Sequence, residues 1–162
     1  MTEKELVRLS IEEAFENEKT KILNKGFTMK IKWTEAKVLE VMNGARFAGK
    51  IAADAKLAQL VGAGPKWSIT DDNTGKSVGT MLDVCGFANL KIPARGKFYT
   101  LAKKLGAGNR FSCGRHYYGG GRLNIFDSTM RQEMSVNVAA CKAQAAYLAK
   151  YGIMATTESR MD

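Results

Sequence analysis

From Thr34 to about Val61 the chain carries one long helical pattern, and any fold must be built around it. Val38, Val41, Met42, Ala45, Ala48, Ala52 and Ala55 recur at the spacing of a single helix face. Thr34 is a suitable N-cap, and Gly62-Ala63-Gly64-Pro65 is a firm stop. The stripe is rich in small side chains, so a second element can approach it closely. Gly44 and Gly49 are the positions where the helix could bend or divide.

Around this helix the pattern predicts shorter elements. Residues 10–25 read as a helix, with Ser10 and Glu13 as a capping box and Gly26 as its stop. Phe27 to Trp33 alternates apolar and polar and predicts a half-buried strand. Residues 66–70 predict a short strand, followed by turn chemistry at Asp71-Asp72-Asn73-Thr74-Gly75. Residues 76–88 fit two alternatives, a hairpin partner strand and a short helix. Phe98, Leu101, Ala102 and Leu105 give the stripe of an amphipathic helix over 97–105. Residues 110–116 and 122–126 read as a hairpin tipped by Gly119-Gly120-Gly121. A last helix is expected after a cap at Asp127, Ser128 or Thr129, with Met130, Met134, Val138, Cys141, Ala145 and Leu148 on one face and Gly152 as its end.

The expected fold is therefore α+β: helices packed on a small antiparallel sheet made of 27–33, 66–70, 110–116 and 122–126. Three segments follow: an acidic helical stretch at 1–26, a single globular domain at 27–152, and a flexible tail at 153–162. If 76–88 is helical, the order helix, turn, helix, hairpin resembles the C-terminal part of a winged-helix domain. Lys97–Leu105 would then enter a DNA groove and the 110–126 hairpin would be the wing.

Charge is distributed unevenly. Between Asp83 and Asp127 there is no carboxylate, yet Lys91, Arg95, Lys97, Lys103, Lys104, Arg110, Arg115 and Arg122 all lie there, with the chain's one histidine, His116. The remaining 17 of the 25 Lys and Arg nearly balance all 16 Asp and Glu, so this stretch carries most of the net charge of +9. A localised cationic field attracts polyanions and steers their arrival. Seven of the fourteen aromatic side chains share the stretch. Phe98, Phe111 and Phe126 suit a core, whereas Tyr117 and Tyr118, beside three glycines, suit an exposed surface. Cations interleaved with aromatics fit phosphate neutralisation combined with base stacking.

Other chemistries find little support. Asn73-Thr74-Gly75-Lys76-Ser77 looks like the end of a phosphate loop, but Thr70 stands where the first glycine is needed and two aspartates precede it. Cys113 and His116 have metal-ligand spacing, but a structural zinc needs four ligands, and neither Cys85 nor Cys141 brings a close partner. As a nucleophile and base they would point to opposite faces of one strand and lack an orienting group. Asp54, Asp71, Asp72, Asp83, Asp127 and Glu133 show no spacing diagnostic of metal-assisted phosphodiester cleavage.

No apolar run is long enough to span a bilayer, and the charged N-terminus lacks the apolar core of a secretory signal. Three cysteines without framework spacing suit a reducing cytoplasm. The expected function is non-catalytic nucleic-acid binding, with DNA favoured over RNA and no cofactor or metal. The expected contacts are Lys91, Arg95, Lys97, Lys103, Lys104, Arg110, Arg115, His116, Tyr117, Tyr118 and Arg122. The triple glycine would let the backbone approach the polymer closely. Two alternatives belong to other classes: a small adaptor or inhibitor docking on an acidic protein surface, and a metal-dependent nuclease whose carboxylates meet only in space.

Overall fold

The computed structural model describes residues 31–106, 108–126 and 132–161. The chain divides into two compact units, 1–32 and 33–162, and the described architecture belongs to the second. The helix expected over 10–25 lies outside the described residues. So do residues 27–30 of the expected 27–33 strand, while 31–33 form no strand. Trp33 instead lays its ring against Phe98, with centroids 4.9 Å apart.

Helix α1 (Glu35–Ala63) forms as its pattern requires. The Thr34 hydroxyl accepts from the Lys37 N–H at 3.2 Å, and Val38, Val41, Met42 and Ala45 are buried. Gly44 and Gly49 do not divide it. They are contact points, and side chains from a later helix occupy the space a Cβ would need. Strands β1 (Trp67–Thr70) and β2 (Ser77–Met81) pair antiparallel as a hairpin. Its turn is fixed by the Asp71 carboxylate, which accepts from the Asn73 N–H at 2.7 Å. Of the two alternatives for 76–88, the strand is the one that forms.

The remaining elements are β3 (Gly86–Ile92), α2 (Gly96–Leu105), β4 (Phe111–Arg115), β5 (Gly121–Ile125), α3 (Met134–Ala149) and β6 (Thr156–Met161). The four strands make one sheet in the order β4-β5-β3-β6, every neighbouring pair antiparallel. Helices α2 and α3 thus each connect two strands that flank a third, the split β-α-β arrangement. The protein is α+β, with the sheet drawn differently from expectation. Residues 66–70 belong to the separate hairpin, and the central partner of β5 is β3.

Two further expectations are corrected. The winged-helix order needs a helix before α2, and strands β2 and β3 stand in its place. The β4–β5 hairpin is half of the main sheet, so it is no free wing. The segment 153–162 is no loose tail either: Ile153 is buried, and β6 pairs with β3 over six positions from Gly86↔Met161 to Lys91↔Thr156.

Alternation along the strands sets two faces. Gly86, Leu90 and Ile92 of β3, with Gly121 and Leu123 of β5, are buried. Leu90, Ile92 and Leu123 meet Phe98 and Ala102 of α2, Val38 and Val41 of α1, and Leu148 of α3 in one core. Helix α3 packs between α1 and the sheet, so its buried residues Val136, Cys141, Gln144 and Leu148 do not fall on one simple stripe. Its first turn is held from elsewhere in the chain, because the Asp83 carboxylate accepts from the Ser135 N–H at 2.7 Å. Burial pushes this carboxyl up, and hydrogen bonding to Ser135 and Val84 together with the charge of Lys66 holds it below the usual range. The second sheet face has no helix on it among the described residues.

Candidate nucleic-acid interface

The uncovered face is built by the alternate residues of the same strands. β3 contributes Phe87, Asn89 and Lys91, β5 contributes Arg122 and Asn124, and β6 contributes Glu158 and Arg160. Register fixes their neighbours: Lys91 lies opposite Arg122, while Phe87 lies opposite Arg160 and Asn89 opposite Glu158. Directly opposed side chains in a sheet stand about 5 Å apart at Cβ. Lys91 and Arg122 therefore form a doubly cationic spot in the middle of the sheet. Phe87 is 55% exposed, an unusual place for a phenyl ring unless something covers it.

The β4–β5 turn rises at one end of this face. Tyr117 and Tyr118 are 91% and 82% exposed, and their rings meet edge to face at 4.9 Å. Both are outside because strand alternation ends at Arg115. The His116 carbonyl accepts from Gly119 and the His116 N–H donates to Gly120, which closes the turn. Gly119 and Gly120 have φ of 86° and 85°, a conformation that favours glycine. Gly121 is buried, and a Cβ there would strike the Tyr99 ring at 2.6 Å. The triple glycine thus serves turn geometry and helix packing.

One carboxylate enters the basic face. Glu158 pairs with His116 Nε2 at 2.7 Å and with Lys91 Nζ at 3.5 Å. The acid-free stretch of sequence is therefore not acid-free in space.

The residues picked out by charge divide into two groups. Lys91, His116, Tyr117, Tyr118 and Arg122 gather on or beside the uncovered face. Lys97, Lys103 and Lys104 ride on α2, which packs on the other face, with Arg95 at its N-cap. Lys104 is tied to Glu35 at 2.7 Å. Arg115 lies opposite Gly121 and so projects to the helix side, and Arg110 precedes β4 beside Phe111. The single continuous positive surface expected over 91–122 is not formed. Phe87, Asn89, Asn124 and Arg160 were not among the expected contacts. The first two carry only the weak alternation of 86–92, whose core face includes Gly86 and Ala88. Arg160 sits in a segment whose composition hides a strand.

Cys113 and Cys141 are not on the uncovered strand face itself. Cys113 faces the helix layer, and burial pushes it up to about 11, opposed by the nearby Lys103. Burial likewise pushes Cys141 up to about 11. With an ordinary value of 9.0, each carries on the order of 100-fold less thiolate at pH 8. Alkylation of Cys113 and Cys141 by iodoacetamide at pH 8 is expected to be slower in the folded chain by at least that factor, read by peptide mass mapping. A thiol whose folded value exceeds its unfolded one stabilises the fold while protonated. That contribution is complete below pH 9.0 and is lost as pH rises toward about 11.

Among the described residues no group of three or more His, Cys, Asp and Glu could hold a metal ion. Asp71 and Asp83 hold backbone amides, and Asp54 pairs with Lys50. No helix among the described residues is long and apolar enough to cross a membrane. The chain matches no protein-family model, no curated protein and no solved structure.

Proposed function

We propose that this protein binds nucleic acid without catalysing its chemistry, and that the uncovered face of the four-stranded sheet is the contact surface. The observation that carries this reading is the cross-strand Lys91–Arg122 pair on a face that also presents Arg160 and the exposed Phe87. Cations fixed on a rigid sheet neutralise phosphates, and uncovered rings beside them offer stacking partners. DNA is the first polymer to test.

Three cations on this face, Lys91, Arg122 and Arg160, set the expected salt dependence. At about 0.9 per neutralised phosphate on a duplex and about 0.7 on a single strand, log affinity falls against log salt with a slope of about −2 to −3. Arg122→Ala and Arg160→Ala are each expected to make the slope shallower by about one and to weaken binding several-fold. Lys97→Ala and Lys103→Ala, on the other side of the sheet, leave both unchanged. Binding that ignores Arg122 and Arg160 but responds to the α2 lysines would place the site on the helix layer and overturn the assignment.

A further inference from the structure

On the reading that this face binds nucleic acid, the geometry points to a single strand as the ligand, with one unpaired base entering a cleft where the sheet splits. β3 and β5 pair only from Ile92↔Gly121 to Leu90↔Leu123. Beyond that point the two strands part, although both continue. The Ile125 carbonyl, the next on β5 to face the gap, accepts from Gln144 Nε2 of α3 at 3.4 Å. A helix side chain thus reaches from below into the position that the ladder has vacated.

The split opens a groove of about 1220 Å³ that runs from the uncovered face down to α3. Phe87, Asn89, Asn124 and Phe126 line its walls, and Cys141 and Gln144 lie at its depth. Tyr117, Tyr118 and Arg122 line the same groove. Asn89 Nδ2 is buried and finds no acceptor among the described residues. A buried donor left in that state costs about 1–3 kcal/mol. Asn89 itself lines the groove, so a turn of its amide toward a ligand acceptor there recovers much of that cost.

A nucleobase fits these demands. It is flat, it stacks on Phe87 or a tyrosine, and its edge places acceptors beside donors in the pattern an Asn amide reads. Glu158 also lines the groove. Its carboxylate repels phosphate, which keeps the backbone at the Arg122 and Arg160 rim, and it offers an acceptor to an exocyclic amino group. Duplex bases are stacked and paired along the helix axis, so none can enter a slot cut between two strands of a sheet. Only an unpaired base can.

The test is fluorescence anisotropy with three probes of one mixed sequence: a single-stranded DNA 12-mer, the RNA 12-mer, and the duplex. At equal salt, at least one single strand is expected to bind ten-fold or more tightly than the duplex, despite the duplex's denser charge. A preference between DNA and RNA identifies the sugar and supports the inference either way. Phe87→Ala is expected to lower single-strand affinity about ten-fold with the salt slope unchanged, as for the loss of one stacked base. Phe87→Tyr restores it. The ring is exposed, so neither variant threatens the fold. Asn89→Ala is expected to change the ranking among homopolymer 12-mers. Equal binding of strand and duplex, or a Phe87→Ala variant that binds as well as the parent, overturns the single-strand inference while nucleic-acid binding stands. No salt-sensitive binding to any probe overturns both.

Discussion

Ending the chain after Gly152 is expected to abolish its cooperative unfolding transition. The deletion removes Ile153, whose side chain is buried in the main core, and the whole of β6. Removing a buried Ile side chain alone costs about 2–5 kcal/mol. Against a total stability of about 5–15 kcal/mol for an ordinary domain, that is already a large share. Loss of the ladder adds to it, because β3 changes from a central strand to an edge along its six β6-paired positions. A bare, partly apolar edge is also a template for pairing with other chains. The truncated protein should show a broad, non-cooperative thermal melt by circular dichroism and should self-associate in sedimentation. A sharp melt at the parental temperature would mean that 153–161 is a dispensable tail.

That segment illustrates where sequence pattern stops being informative. Thr156-Thr-Glu-Ser-Arg-Met161 has no apolar alternation, because an edge strand with mostly exposed side chains draws its stability from the ladder and not from its own hydrophobicity. β3 is the converse. Its core face is Gly86, Ala88, Leu90 and Ile92, and two of those four are weak strand formers, so the alternation is visible only to someone who already knows the register. Helix α3 begins at Met134, and Asp83, about fifty residues earlier, supplies the acceptor for its first turn. No local capping signal could report that. By contrast α1, α2 and the β4–β5 hairpin rest on local chemistry: a threonine cap, a four-residue apolar stripe, a glycine turn. Those are the elements that the pattern predicts within a residue or two.

The candidate site was legible only in part, for a related reason. Nearness in sequence becomes nearness in space only when residues share strand parity or helix face. Arg115 and Arg122 belong to one hairpin, yet Arg115 is opposite Gly121 while Arg122 is opposite Gly114. Consecutive opposed pairs face opposite sides of a sheet, so the two arginines part. Charge counting could not foresee Glu158 either, since it arrives from β6 to sit between Lys91 and His116. It also missed Asn89 and Gln144, because neutral amides carry no charge signal and matter only where a ladder opens.

Gly49→Ala is expected to destabilise the protein by about 1 kcal/mol, against the sign that helix propensity assigns. In an exposed helix interior, Gly to Ala gains about 1 kcal/mol. Here α1 and α3 approach closely, and a Cβ at Gly49 would lie 2.5 Å from Gln144 Nε2 and 2.8 Å from its Cγ. Gln144 is buried, with its amide held on the Ile125 carbonyl. To yield, it must leave that carbonyl without its donor or push α1 away from α3. Either route costs about 1–3 kcal/mol, as for an unsatisfied buried group or an overpacked contact, and so offsets the propensity gain and exceeds it by about 1 kcal/mol. Urea titrations of Gly49→Ala, Gln144→Ala and the double variant separate the causes. Gln144→Ala alone is destabilising, because the Ile125 carbonyl loses its partner. In that background Gly49→Ala should become neutral or stabilising, a coupling of at least about 1 kcal/mol. Additive effects would mean that the small-residue stripe of α1 is not set by the side chains of α3. If the coupling is found, Gly49 is a determinant of the cleft as well as of stability, because it leaves room for the glutamine whose amide holds the Ile125 carbonyl where β5 and β3 part.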